Sequence, residues 1–264
     1  MSTSIKALAT RLDEARRTGV AIPQLSAEGD LSLDDAYAVQ HAGTALRTDA
    51  GEQLFGAKLG FTSKAKAEQM GVSDVIIGAL TSGMVVVNGG VLDISRGVHP
   101  RIEPEVAFRL GPAVDPADPA ADVLEAVTDI APAMEVIDSR YRDFRFSLVD
   151  VVADNTSASH FIVGDWVSLD DARELDLAAL AVELRFDGEV VAAGSTADIL
   201  GDPLRALPAT VRMAARYGHR LEAGAVILAG AATAAVPLRS GVRVTARVRG
   251  LGSVSVHTKE ESDG

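Results

Sequence analysis

Glu103 and Glu105 stand one residue apart in the stretch Ile102 to Leu110, IEPEVAFRL. On an extended strand alternate side chains share a face, so the two carboxylates can reach one point in space. Unless both are solvated on an open face, their repulsion must be compensated by a proton, a basic side chain or a divalent cation. Pro104 between them removes a backbone donor, which predicts a sheet edge or an irregularity where a ligand can approach. A third acid, Glu135 in PAMEVIDSRY, shares a strand face with Ala133 and Ile137. An ionised carboxylate among apolar neighbours is costly without a partner. An arginine such as Arg140 would serve, and so would a cation. The chain has no cysteine, and its histidines at 41, 99, 160, 219 and 257 show no ligand-like spacing. The three acids are therefore an oxygen-only set, which favours Mg²⁺ or Mn²⁺ over zinc.

Other polar groups stand where chemistry could use them. Lys58 sits between glycines in GAKLG, where a backbone can approach closely and a cation can be offered to an anion. Asp154 and Asn155 follow the apolar pair Val151 and Val152, and are expected at the end of a strand, as loop caps or as part of a substrate pocket. There is no Gly-x-Ser-x-Gly elbow, and Gly250 to Ser253 lacks the lysine and third glycine of nucleotide loops.

The elements that must position these groups change in texture along the chain. Ile5, Leu8, Ala9, Leu12 and Ala15 recur at helical spacing before Gly19, and Ser32 with Asp34 and Asp35 opens a second helix reaching about Thr48. Ser63 to Met70 reads as a third, short helix closed by Gly71. Beyond it come short alternating or β-branched runs, among them Met84 to Val87, Val106 to Leu110, Ala133 to Ile137, Leu180 to Phe186, Val190 to Ala193 and Arg243 to Val248. Asp187-Gly188 predicts a hairpin, and one later helix runs from Pro203 to about Tyr217. The pattern predicts an α+β chain: a helical N-terminal portion over 1–75 and a β-rich catalytic domain over 76–264.

Composition narrows the function. A net charge of −12 and 4% aromatic residues argue against nucleic acid or an anionic membrane as partners. No run of residues is long and apolar enough for a membrane helix, and the charged N-terminus lacks the apolar core of an export signal, so a cytoplasmic protein is expected.

Taken in order, KLGFTSKAK (58–66), HPRIEPEVAF (99–108), AMEVIDSRY (133–141), DVVADNTSAS (150–159) and GLGSVSV (250–256) resemble the fumarylacetoacetate hydrolase superfamily. Within it they resemble the branch of 2-keto-4-pentenoate hydratases and 4-oxalocrotonate decarboxylases of catechol meta-cleavage pathways. The resemblance implies a mixed β-roll with an N-terminal helical portion. It implies a divalent metal, usually Mg²⁺, held by Glu103, Glu105 and Glu135, with Lys58 contacting substrate or moving a proton. Ser82, Arg140, Asp154 and Ser159 are further substrate-side candidates. Ser82 stands in Leu80-Thr81-Ser82 where relatives commonly carry Leu-Thr-Asp, so a hydroxyl replaces a carboxylate there. Ser139-Arg140-Tyr141 followed by Phe144 and Phe146, and Pro104 between the glutamates, favour the decarboxylase, which would convert 2-oxo-3-hexenedioate to 2-hydroxypenta-2,4-dienoate and CO₂. The alternatives are the hydratase, an acylpyruvate C–C hydrolase and a non-catalytic partner. A small 2-oxo acid or dienoate substrate, a homo-oligomer and a complex with the pathway hydratase are the implied partners.

Overall fold

The computed structural model describes residues 4–63 and 74–260. The expected helix at 63–70 therefore lies almost wholly outside the described residues. Helix α1 (Ile5–Thr18) starts where the Ser4 hydroxyl accepts from Ala7 N and stops at Gly19, whose φ of 67° an L side chain would resist. Helix α2 (Leu33–Asp49) begins with a capping box in which Ser32 and Asp35 satisfy each other's backbone donors. Both were expected from spacing and caps, and the apolar stripe of α1, Leu8, Ala9, Leu12 and Ala15, is the face it buries.

Strands begin earlier than the sequence texture predicts. β1 (Leu54–Gly60) and β2 (Ile76–Thr81) precede β3 (Val91–Leu92), β4 (Arg101–Leu110), β5 (Val127–Ile137), β6 (Ala158–Val163) and β7 (Val167–Ser168). They are followed by β8 (Ala181–Phe186), β9 (Glu189–Ser195), β10 (Val226–Ala231), β11 (Val236–Pro237), β12 (Arg243–Val248) and β13 (Gly252–Thr258). An eight-stranded sheet runs β2-β1-β10-β4-β5-β6, with β11 added on β4 and β7 on β5; a five-stranded sheet runs β3-β13-β12-β8-β9. The glycines that obscure β1 in the sequence serve sheet packing. A Cβ on Gly56 would lie 1.8 Å from Val226 O, so only glycine lets β1 lie against β10 there. The Asp187-Gly188 turn joins β8 to β9 as expected, both residues having positive φ.

Two expected strands are something else. Met84 to Val87 is a 3-10 turn (Ser82–Met84) followed by a single parallel bridge from Val85 to Phe161, since Val85 N is turned back onto Ser82 O. Val151 and Val152 lie in a helix: after the short α3 (Val123–Ala126) comes α4 (Leu148–Ala153), opened by a capping box between Ser147 and Asp150. The final helix, α5 (Ala206–Tyr217), enters through a 3-10 turn at Pro203–Arg205 and ends at Gly218. A core holding Phe108, Ile130, Ile227 and Tyr141 packs the helices against the large sheet, while Met134, Ile162, Leu184 and Val256 fill the space between the sheets. Among the described residues no helix is long and apolar enough to cross a membrane.

Candidate active site

β4 carries two of the carboxylates and β5 the third. The two strands are antiparallel neighbours, and their register sets Glu103 directly opposite Glu135 and Glu105 opposite Ala133. Like charges directly opposite on a sheet repel. Here all three acids are buried, and an oxygen from each lies within 4.8 Å of the others.

Pro104 is placed in the middle of the sheet and not at its edge, because β4 runs between β10 and β5. The irregularity it predicts is present. The β10 register slips between Leu228 and Ala231, where Ala232 N donates to Pro104 O. In that slip Gly230 N donates to Glu105 Oε2 at 2.8 Å. Gly230 has φ 110°, and a Cβ on it would lie 2.1 Å from Thr62 Oγ1, so glycine is required on two counts. A glycine inside the apolar run VILAGA was the available signal for it.

Among the described residues Lys58, on β1, is a cation that reaches the cluster. It is 3% exposed, with Nζ 3.0 Å from Glu135 Oε2 and donating to Thr156 O at 3.2 Å. Burial alone would lower its pKa, but the charges of Glu135, Glu103 and Glu105 outweigh that and hold it above the ordinary lysine value. Burial is also the largest cause that pushes Glu135 up to about 7, against the pull of Lys58. Burial, then the charges of Glu135 and Glu103, raises Glu105 well above the carboxylate range.

Arg140 does not partner Glu135. Its Nε donates to the Asp154 carboxylate, Nη1 to the carbonyls of Asp138 and Ala158, and Nη2 to that of Asp154, while its backbone N donates to Asp154 Oδ2 at 3.0 Å. Both side chains are buried. Their contacts fix the chain between β5 and β6, and both also line a small pocket with Gln40, Arg47 and Met84. Burial raises Asp154 to about 6 in spite of the guanidinium. Ser82 and Ser159 are not brought to the cluster by any contact among the described residues. The Ser82 hydroxyl accepts from Gln53 N on an exposed turn, and that of Ser159 meets His160 Nδ1 at 2.9 Å. Ser159 and His160 instead line a cavity of about 590 Å³ with Arg16, Arg47, Arg96 and Asp138.

The cluster fits a hard divalent cation. Among the described residues the three carboxylates outnumber the one ammonium, Lys58, and when all are ionised this excess of negative charge favours a cation. Oε1 of Glu105 and Oε1 of Glu135 are buried with no hydrogen-bond partner, and an all-oxygen donor set suits Mg²⁺ or Mn²⁺.

The sequence profile described as fumarylacetoacetate (FAA) hydrolase C-terminal matches residues 56–258, which include every strand from β2 to β13, and all four charged groups of the cluster. The chain belongs to the FAA hydrolase family. Among its relatives in that family, a 4-oxalocrotonate decarboxylase of a Pseudomonas species is 49% identical over 257 residues, 97% of this chain and 99% of the relative. A 2-keto-4-pentenoate hydratase of Paraburkholderia phymatum is 35% identical over 260 residues, 97% of this chain and 98% of the relative. The solved structure of 4-oxalocrotonate decarboxylase from Pseudomonas putida G7, complexed with magnesium and adipate, has a TM-score of 0.90 and 35% identity, covering 97% of this chain and 99% of that one. The mixed α+β architecture with N-terminal helices is thus that of an FAA hydrolase-like fold.

Proposed function

We propose that this chain is a Mg²⁺-dependent decarboxylase that converts 2-oxo-3-hexenedioate (4-oxalocrotonate) to CO₂ and 2-hydroxypenta-2,4-dienoate. The observation that carries the reading is the buried trio Glu103, Glu105 and Glu135 with Lys58 beside it, in a chain 49% identical to a decarboxylase of that name. The substrate is a vinylogous β-keto acid. Its C5–C6 bond breaks to release CO₂, the bonding pair forms C4=C5, the C3=C4 pair moves to C2=C3, and the charge arrives on the C2 oxygen. A proton on that oxygen completes the 2-hydroxy product.

Glu103, Glu105 and Glu135 would hold the divalent cation. When bound it supplies Lewis acidity for the negative charge that develops at C2. Lys58, whose pKa the neighbouring acids hold above the ordinary lysine value against the cost of burial, would act as a cation and proton donor at the developing oxyanion. The apolar residues on the same face, including Phe161, Ala107 and Leu228, exclude water and strengthen these interactions.

The hydratase of the same family would share the metal centre and is the second reading; its relative at 35% identity is the observation for it. Purified protein with Mg²⁺ and 4-oxalocrotonate should lose ultraviolet absorbance while releasing CO₂. Consumption of 2-hydroxypentadienoate with no CO₂ from 4-oxalocrotonate would overturn the decarboxylase in favour of the hydratase. We further place the enzyme in the cytoplasm, as a homo-oligomer that associates with the pathway hydratase. Sedimentation of the protein alone and with that hydratase measures both associations.

A further inference from the structure

Lys58 is held from two sides, by Glu135 and by the carbonyl of Thr156. The carbonyl is presented by an unusual backbone. Asn155, Thr156 and Ser157 have φ of 49°, 53° and 60°, three successive L residues in the left-handed region. Such a run persists only where its surroundings impose it.

Two constraints impose it here. The Asn155 side-chain amide pairs both ways with the backbone of Ala79, Oδ1 accepting from Ala79 N at 2.8 Å and Nδ2 donating to Ala79 O at 2.9 Å. It thereby completes the outer edge of β2, the terminal strand of the large sheet. The second constraint is a missing side chain. Gly78 stands directly opposite Lys58 in the β1–β2 register, and a Cβ on Gly78 would lie 2.3 Å from Thr156 Oγ1 and 3.0 Å from Asn155 O. The turn rests on the bare backbone at 78, and from there the Thr156 carbonyl reaches the lysine.

We propose that Gly78, Asn155 and Thr156 form a positioning device for Lys58, in which a left-handed turn seated on a side-chain-free strand position fixes the direction of the ammonium group. An ammonium has three N–H donors. With one directed at Glu135 and one at Thr156 O, the direction of the third is set by the other two. The uncharged carbonyl keeps its hold whatever charge Glu135 shares with other partners. These three are positioning residues, and the inference rests on the reading that Lys58 acts in the reaction.

The test uses the full-length Mg²⁺-loaded enzyme with 4-oxalocrotonate. Gly78→Ala and, separately, Asn155→Ala should lower kcat about 100-fold, the cost of displacing a reacting group by roughly 1 Å, with KM little changed. Mn²⁺ affinity measured by calorimetry should stay at the wild-type value, because the three carboxylates are untouched. In a Lys58→Met background neither substitution should lower kcat further. Adding Thr156→Ala to Gly78→Ala removes the Oγ1 that the new methyl meets but keeps the carbonyl, and should recover most of the lost turnover. Should Gly78→Ala fail to fold, Asn155→Ala decides. Wild-type kcat in the folded single variants, or full additivity with Lys58→Met, would overturn the positioning role alone. Wild-type turnover by Lys58→Met itself would overturn the functional reading of Lys58, and this inference with it.

Discussion

At the scale of single residues, the metal-free centre is under electrostatic stress that a cation relieves. Glu103 faces Glu135 across one strand pair, and Glu105 is within reach of both. Glu103→Gln removes one charge and keeps the shape. It should weaken Mn²⁺ binding by at least the roughly 10–100-fold that loss of a supporting hydrogen bond costs a metal site. The same change should raise the melting temperature of the metal-free protein, since the repulsion of Glu103 with both Glu105 and Glu135 is gone, a gain on the order of 1 kcal/mol. Calorimetric titration and thermal denaturation of the metal-free variant read the two effects, and a loss in both would instead mark Glu103 as a structural residue. Lys58→Met separates the remaining role. Metal affinity should hold, because a repelling cation is removed, while turnover falls by about 10²–10⁴-fold, the range for losing a positioned proton donor. Unchanged turnover would remove Lys58 from the chemistry.

At the scale of elements, the buried pair of Arg140 and Asp154 ties the end of β5 to the turn after α4. Arg140→Met would leave Asp154 buried without its cation and release the carbonyls of Asp138, Asp154 and Ala158. The expected cost is about 3–5 kcal/mol in chemical denaturation, with Asp154→Asn less severe because the neutral amide is cheaper to bury. This pair also shows where sequence stops being legible. The convergence of Glu103 and Glu105 follows from their spacing alone, and α1, α2 and the Asp187-Gly188 hairpin follow from periodicity and turn chemistry. The joining of Glu135 to that pair came from family resemblance, because which residues face each other across two strands depends on a register that spacing within one strand does not contain. Lys58 was visible as a candidate but its partner was not, for the same reason. Asp154 was misplaced because Leu148–Ala153, six residues, is too short to be assigned by periodicity. The Ser147–Asp150 capping box was the local signal that α4 is a helix. β1 stayed hidden because its glycines lower strand propensity while permitting the close approach of β10.

At the scale of the whole molecule, the N-terminal helices join the body through an aromatic seam between α2 and the end of α5. Tyr37 stacks on Tyr217 with ring centroids 3.6 Å apart, and His41 Nε2 meets Tyr217 O. His219, just beyond α5, packs with its ring 4.9 Å from His41 and edge-on to Tyr37. Its Nε2 is buried with no hydrogen-bond partner. Burial, with a smaller contribution from His41, lowers its pKa to about 3. The folded protein therefore refuses a proton that the unfolded chain takes up below its ordinary value near 6.5. The stability that follows from keeping His219 neutral is complete above pH 6.5 and is lost as pH falls from there towards 3, at up to about 1.4 kcal/mol for each pH unit. Chemical denaturation at pH 7 and at pH 5 should show the wild type losing stability over this interval relative to His219→Phe, because the raised carboxyls of Glu135 and Asp154 titrate alike in both proteins. His219→Phe keeps an apolar ring in the seam and removes the titrating group, so the difference between the two pH dependences isolates the contribution of His219. Equal slopes in the two proteins would mean that the seam accommodates a charged imidazole, and that acid sensitivity in this range originates elsewhere in the chain.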